Sequence, residues 1–274
     1  MKIAFFTYTR LEFGGGVAKY MTEVSAGLMK RFEDLDIDIV TFDERSLKFL
    51  LFFYFVYFGG KQDMDQKDKE KSVEIKKKLG SVGYIKVSLF NLKKILSEYD
   101  LIYTTNNLLE VMLFKFVIGY KHLPPIIYGV HIPVRYKITG SIQSAIHNIL
   151  YDSRIYKKAL RGAWKIHAIN NFDKNLLLTD FGLSKVIKIY NPFSFVDFKV
   201  AQTKHHYLCN WDRKKINILW VGRLTEQKGV NELLDLIEKV NSGKYYSKVI
   251  WNIVGQGELQ RKVTKMSGKY QNVI

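Results

Sequence analysis

Two basic side chains in one glycine-flanked loop are the strongest candidates for chemistry in this sequence. Residues 221–229 read VGRLTEQKG, so Arg223 and Lys228 follow a strand-like run and precede an amphipathic one. In an open α/β sheet, a loop that leaves a strand and enters a helix lies where ligands bind. A planar guanidinium and a compact ammonium beside a helix N-terminus would bind a diphosphate. A solvated surface loop is the alternative, and composition alone favours it.

Glycines form two further candidate ligand loops. Gly15 and Gly16 belong to a Gly-Gly-Gly turn between the first strand-like run and the first helix-like run. Free backbone N–H groups at such a helix start suit a phosphate or a sugar hydroxyl. Gly255 and Gly257 follow another strand-like run in the same way. A tight turn without a ligand is the alternative for both loops, and the first loop lacks the dinucleotide spacing G-x-G-x-x-G.

The elements that must position these loops alternate along the chain. Short β-branched and aromatic runs predict strands, and apolar residues at helical spacing predict helices. The predicted strands are residues 2–8, 37–42, 84–87, 101–104, 126–130, 165–169, 186–190, 216–221 and 249–254. The predicted helices are residues 17–32, 106–120, 141–161, 171–180, 230–240 and about 258–266. This alternation indicates the α/β class, with parallel sheets covered on both faces.

A stretch without periodicity divides the chain. Residues 193–213 read as a linker, so we predict an N-terminal Rossmann-like domain at residues 1–192 and a second one at residues 214–274. The second domain has room for about two strand–helix units, and residues 272–274 look like the start of one more strand. We therefore expect the second domain to be incomplete.

Composition and charge exclude several classes of protein. Hydrophobic residues make up 47% and aromatic residues 14% of the chain, which excludes intrinsic disorder. The single cysteine, Cys209, excludes an intramolecular disulfide framework and fits a reducing compartment. With no secretory signal and no run of about 18 apolar residues, we expect a cytoplasmic protein. His205 and His206 adjoin Cys209 without a second ligand cluster, so we expect no metal site.

The net charge of +17 attracts anions such as nucleotide phosphates, an acidic membrane face or nucleic acid. We do not expect nucleic acid as a partner, because basic and aromatic residues are not interleaved and no known motif is present. The aromatic run FLLFFYFVYF at residues 49–58 precedes a charge-dense segment and would suit peripheral contact with the inner face of a membrane. A buried helix or strand is the alternative, which we favour because aromatic runs more often belong to a core.

The motifs together resemble family 4 of the glycosyltransferases with the GT-B fold. ILWVGRLTEQKGVNELLDLIEKV followed by WNIVGQGEL resembles the half of that family that binds the sugar donor. The N-terminal segments that resemble it are FGGGVAKYMTEVSAGL, YGVHIPV, KIHAINNFDKNLLL and VIKIYNPFSFVDF. The resemblance touches most of the chain except about residues 43–80.

The resemblance implies two Rossmann-like domains that face a cleft, and a reaction that retains the configuration of the sugar. A nucleotide-diphosphate sugar would be the donor, a sugar or lipid-linked hydroxyl the acceptor, and no metal or other cofactor is expected. Arg223 and Lys228 would stabilise the charge of the departing nucleotide. His131 would contact the donor sugar, whereas without the resemblance it reads as an ordinary histidine at a strand end. The glycines that would line the cleft and the donor pocket are Gly15, Gly16, Gly222, Gly255 and Gly257.

One departure from the family affects the expected activity. The family's C-terminal block carries two glutamates seven residues apart, and nothing in this chain matches it. We therefore expect a fragment, a truncated reading frame or one part of a split enzyme. The alternative function is a catalytically inactive GT-B protein that serves as a subunit or as a membrane-associated binding module.

Overall fold

The computed structural model divides the chain into two compact units, Met1–Phe193 and Ser194–Ile274. The residues that it describes are 1–8, 10–11, 16–50, 79–135, 142–192 and 214–274. The predicted linker at residues 193–213 and most of the aromatic run at residues 49–58 lie outside the described residues. None of the helices in the described ranges is long and apolar enough to cross a membrane.

The first unit contains a seven-stranded parallel sheet in the order β3-β2-β1-β4-β5-β6-β7. Its strands are β1 Lys2–Phe6, β2 Asp36–Phe42, β3 Gly83–Val87, β4 Leu101–Thr105, β5 Ile126–Val130, β6 Lys165–Ala168 and β7 Val186–Lys188. The order of the strands reverses between β1 and β4. The carboxyl ends of these two strands therefore flank a topological switch point, where open α/β sheets bind ligands.

The sequence of β1 shows why the sheet is covered on both faces. Ile3, Ala4, Phe5 and Phe6 are all buried. Ala4 and Phe6 belong to one hydrophobic cluster, and Ile3 and Phe5 belong to a second one. Alternate residues of a strand point to opposite faces, so a continuous apolar run places β1 at the centre of the sheet.

Helices follow the strands, and two of the predicted helices differ from the observed ones. Those of the first unit include α1 Gly16–Arg31, α2 Leu92–Leu96, α3 Leu108–Met112, α4 Ile142–Tyr151, α5 Arg154–Leu160 and α6 Asn171–Thr179. The single helix predicted at residues 141–161 is wrong, because Ser153 accepts a hydrogen bond from the Tyr156 N–H and starts a new helix there. The helix predicted at residues 106–120 begins at Leu108 and continues as a π-helix over Leu113–Ile118.

The second unit contains a two-stranded parallel sheet, β8 Ile216–Val221 and β9 Val249–Val254. Its helices are α7 Val230–Asn241 and α8 Gln260–Lys269. The strand start predicted at residues 272–274 is confirmed as a single parallel bridge between Trp251 and Val273. Among the residues that the structure describes, Trp251 is also the largest fully buried side chain, and it packs in the core of this unit.

A buried carboxylate joins the ends of the two central strands of the first unit. Glu110 is fully buried, and its Oε1 accepts a hydrogen bond of 2.9 Å from the Tyr8 N–H, just after β1. Its Oε2 accepts from the Thr104 hydroxyl at 2.8 Å and from the Thr105 N–H and hydroxyl at 2.8 and 2.6 Å. Burial raises the pKa of Glu110, although these hydrogen bonds act in the opposite direction. The carboxyl thus fixes both sides of the switch point.

We predict that Glu110→Ala lowers the free energy of unfolding by about 3 kcal/mol, because four donors, three of them buried, lose their acceptor. Glu110→Gln should cost less, since the amide oxygen still accepts from the β4 donors. Urea unfolding followed by circular dichroism measures both effects. Glu98→Gln is the matched control, because Glu98 is exposed; equal stability of Glu110→Ala and this control would contradict the role of Glu110.

Candidate functional site

Three polar rings from adjacent strands meet near the carboxyl edge of the first sheet. The Tyr103 hydroxyl of β4 lies 2.8 Å from Nε2 of His131, which directly follows β5. The same hydroxyl lies 2.9 Å from Nδ1 of His167 in β6. His131 was a predicted site residue, whereas Tyr103 and His167 were predicted only as parts of strands. The polar ring in each of these two short strands was the signal available in the sequence.

A glycine provides the space in which these rings meet. Gly129 of β5 lies between β4 and β6, opposite Thr105 on one side and His167 on the other. A Cβ atom at Gly129 would lie 2.0 Å from the Tyr103 hydroxyl oxygen and 2.8 Å from Nε2 of His131. Any side chain at this position would therefore displace the hydroxyl from the two imidazoles.

The backbone and the ring of His131 are both held in place. Asn106, which is fully buried, accepts hydrogen bonds at its Oδ1 from the N–H groups of His131 and Ile132, at 3.1 and 3.0 Å. Its Nδ2 donates to the Ile132 carbonyl at 2.7 Å. The Tyr20 ring of α1 lies against the imidazole of His131 with centroids 4.3 Å apart. Strands β4 and β5 and helix α1 thus all contribute to the position of this ring.

The environment keeps the imidazole of His131 neutral at physiological pH. Burial, and to a smaller extent the neighbouring His167, lowers the pKa of His131 to about 4. Burial also lowers the pKa of His167. A neutral imidazole presents one donor and one acceptor, which suits a ligand hydroxyl better than a ligand phosphate.

The glycine loop after β1 is described only in part. Gly15 lies outside the described residues, and Gly16 is the first residue of α1. No described atom lies within 4 Å of the position that a Cβ at Gly16 would take. The packing of the described residues therefore does not require a glycine at position 16, and its predicted ligand contact stays a prediction.

The second unit places both predicted cations in one loop. Arg223 and Lys228 are exposed, and the loop that carries them leaves β8 and enters α7. Leu224 is buried and anchors the loop. Gly229 has a φ of +73°, a left-handed conformation that favours glycine, and it directly precedes α7. The two basic side chains are therefore held on the approach to a helix N-terminus.

Gly255 and Gly257 of the second unit have an evident packing role. Gly222 donates a hydrogen bond from its N–H to the Val254 carbonyl at 3.0 Å, so the loops after β8 and β9 contact each other. A Cβ at Gly255, whose φ is +159°, would lie 1.8 Å from the Gly222 carbonyl oxygen. A Cβ at Gly257 would lie 2.5 Å from the Leu224 carbonyl oxygen. Close backbone packing accounts for Gly255 and Gly257, and their contact with a donor stays a prediction.

Among the residues that the structure describes, no group of three or more His, Cys, Asp or Glu side chains could hold a metal ion. His205, His206 and Cys209 lie outside those residues.

The proteins that resemble this chain were found by comparison with solved structures. No family model matches the chain, and no curated protein matches it. An E. coli trehalose-6-phosphate structure bound with UDP-2-fluoro glucose is 13% identical, with a TM-score of 0.53, and the alignment covers 98% of this chain and 71% of that one. A UDP-forming α,α-trehalose-phosphate synthase from Burkholderia vietnamiensis is also 13% identical, with a TM-score of 0.55 and coverage of 98% and 69%.

A TarM variant from S. aureus, in complex with fondaparinux, alpha-GlcNAc-glycerol and UDP, is similar as well. It is 12% identical, with a TM-score of 0.57, and the alignment covers 98% of this chain and 75% of that one. These similarities define the class of fold: the chain has the mixed α/β, Rossmann-like fold of the GT-B glycosyltransferases. At such low identity, they define the fold alone.

The low pKa of His131 predicts a pH dependence of stability. The unfolded chain protonates this histidine near pH 6.5, whereas the folded chain resists protonation down to about pH 4. Its contribution to stability is therefore complete above pH 6.5 and is lost as the pH falls towards 4. Over this range, the difference in unfolding free energy between the wild type and His131→Gln should change by about 1.4 kcal/mol per pH unit. Urea unfolding at several pH values measures it, and parallel curves would refute the shift.

We predict that Gly255→Ala lowers the free energy of unfolding of the second unit by about 3 kcal/mol or more, because its Cβ meets the Gly222 carbonyl. Gly268→Ala is the matched control. Gly268 lies in α8 with nothing within 4 Å of its Cβ position, so alanine there should be neutral or stabilise by up to about 1 kcal/mol. Urea unfolding with tryptophan fluorescence reports mainly on this unit, to which three of the four tryptophans belong. Equal transitions for the two variants would contradict the close loop packing.

Proposed function

We propose that this chain is a retaining glycosyltransferase of the family 4 type. It would transfer a sugar from a nucleotide-diphosphate sugar to the hydroxyl of a sugar or lipid-linked acceptor. The observation that carries this proposal is the loop after β8, which presents exposed Arg223 and Lys228 ahead of α7. The GT-B fold supports it, as do the solved structures with a similar fold that contain UDP or UDP-2-fluoro glucose.

The two cations would act on the leaving group. When the bond between the anomeric carbon and the diphosphate oxygen breaks, negative charge grows on the diphosphate. Arg223 can form two parallel hydrogen bonds with phosphate oxygens, and Lys228 supplies a second positive charge. Preorganised charge of this kind stabilises a transition state more than a ground state, so the reaction needs no metal in this proposal.

The first unit would contribute contacts to sugar hydroxyls. His131 is neutral and held in place, so it can form a hydrogen bond with a hydroxyl without the cost of burying a charge. The contacts of Gly15 and Gly16 with a ligand stay a prediction. Peripheral contact with a membrane through residues 49–58 stays a prediction, as does a cytoplasmic location at the inner face of that membrane.

The first test is nucleotide release by the purified chain. The chain is mixed with UDP-, GDP- and ADP-sugars and with free or lipid-linked sugar acceptors, with and without EDTA. We expect release of a nucleoside diphosphate that EDTA does not stop, and an unchanged anomeric configuration by NMR. Donor binding without any transfer would favour the alternative function, an inactive binding module.

We predict that Arg223→Ala and Lys228→Ala each lower turnover by about 100-fold or more, because each removes a charge that stabilises the leaving group. Lys265→Ala is the matched control. It removes one positive charge from an exposed position on α8, so its net charge equals that of Arg223→Ala and Lys228→Ala. Steady-state kinetics with saturating donor measures the effect. Ordinary turnover of Arg223→Ala would refute its role.

A further inference from the structure

The three rings at the edge of the first sheet form a chain of hydrogen bonds with a defined end. Nε2 of His167 lies 2.7 Å from the carbonyl oxygen of Ile189. A carbonyl oxygen can only accept a hydrogen bond, so Nε2 of His167 carries a proton. Because burial lowers the pKa of His167, its ring is neutral, and its Nδ1 therefore has no proton.

The positions of the protons on Tyr103 and His131 follow from the position of the proton on His167. The unprotonated Nδ1 of His167 must accept the hydrogen bond from the Tyr103 hydroxyl at 2.9 Å. Burial raises the pKa of Tyr103 well above its ordinary value, so the hydroxyl keeps the single proton that it donates. Because this proton is used at His167, the hydroxyl oxygen accepts from Nε2 of His131, at 2.8 Å; the Tyr20 hydroxyl is a further hydrogen-bond partner of Tyr103. Nε2 of His131 therefore carries a proton, and Nδ1 of this neutral ring is left as an acceptor.

We propose that Tyr103 and His167 are positioning residues that hold His131 in the Nε2–H tautomer, so that its Nδ1 accepts a hydrogen bond from a substrate hydroxyl. The identity of that hydroxyl as part of a sugar rests on the proposed function. The tautomer itself does not, because it follows from the hydrogen bonds within the first unit.

Packing around the rings supports this assignment independently of their protons. Position 129 is a glycine, and a Cβ atom there would lie 2.0 Å from the Tyr103 hydroxyl oxygen. The Tyr20 ring lies against the imidazole of His131. The side chain of Asn106 accepts a hydrogen bond from the N–H of Ile132, the residue that follows His131. No described residue forms a hydrogen bond with Nδ1 of His131. The ring is thus fixed at Nε2 and on one face, while Nδ1 stays available to a ligand.

The test measures the tautomer directly in the intact chain. Long-range proton–nitrogen NMR spectra of protein labelled with ¹⁵N-histidine distinguish a protonated ring nitrogen from an unprotonated one, and a His131→Gln spectrum assigns the signals. We expect the Nε2–H tautomer in the wild type at pH 7.5. A wild-type spectrum dominated by the Nδ1–H tautomer would overturn the proposal.

Two variants should change the tautomer for different reasons. In His167→Leu, the Tyr103 hydroxyl loses its acceptor and becomes free to donate to Nε2 of His131, so the Nδ1–H tautomer should appear. In Tyr103→Phe, Nε2 loses its acceptor, so the protein no longer fixes the tautomer and it should relax to the mixture of free histidine, while the ring contacts with Phe5 and Tyr20 are kept. His167→Gln offers an amide oxygen to Tyr103 and an amide N–H to Ile189, so it should retain the Nε2–H tautomer. An unchanged tautomer in His167→Leu would overturn the proposal.

Kinetics separates this proposal from the proposed function. If the chain transfers sugars, Tyr103→Phe and His167→Leu should lower kcat/KM by about tenfold, the effect of one lost hydrogen bond. His167→Gln should restore most of that loss. Absence of any transfer by the wild type would refute the proposed function and leave the NMR result valid. A shifted tautomer with unchanged kcat/KM in an active enzyme would refute the substrate contact of His131.

Discussion

The carboxylate of Glu110 determines the geometry at the edge of the first sheet. It is fully buried and accepts hydrogen bonds from the N–H of Tyr8 on one side and from Thr104 and Thr105 on the other. The chain continues from Tyr8 into the glycine loop and from Thr105 directly into Asn106. Asn106 in turn fixes the backbone of His131. The position of His131 therefore depends on the carboxylate of Glu110, which is not one of the three ring residues of the candidate site.

The sequence predicted the elements better than it predicted the contacts between them. The bounds of β5, β8 and β9 were predicted correctly, because each is a short β-branched run bordered by glycine, proline or charge. The break between two helices at Ser153 was missed. A helix N-cap needs only one side-chain hydroxyl, and the helical spacing of apolar residues continues across this position. The loop with Arg223 and Lys228 was placed correctly, since its position between a strand and a helix follows from the local pattern alone.

The part of the site that was missed depends on the lateral order of the strands. Tyr103 and His167 are 64 residues apart in the chain, and they meet only because β5 lies between their strands and carries Gly129 at the crossing. Glu110 was missed for the same reason, since its donors come from two different strands. In the second unit, Gly255 and Gly257 were predicted as ligand residues, and the close approach of two loops accounts for them in physical terms.

The central position of β1 has a consequence for synthesis of the protein on the ribosome. β1 is the first strand to be made, and it can pair with β2 as soon as residue 42 has emerged. Its other edge pairs with β4, which is complete only at residue 105. At about 5–20 residues per second, the ribosome needs about 3–13 s to make the intervening residues. During that time, an apolar strand edge of the nascent chain is exposed to unwanted pairing, so an early chaperone contact would protect it.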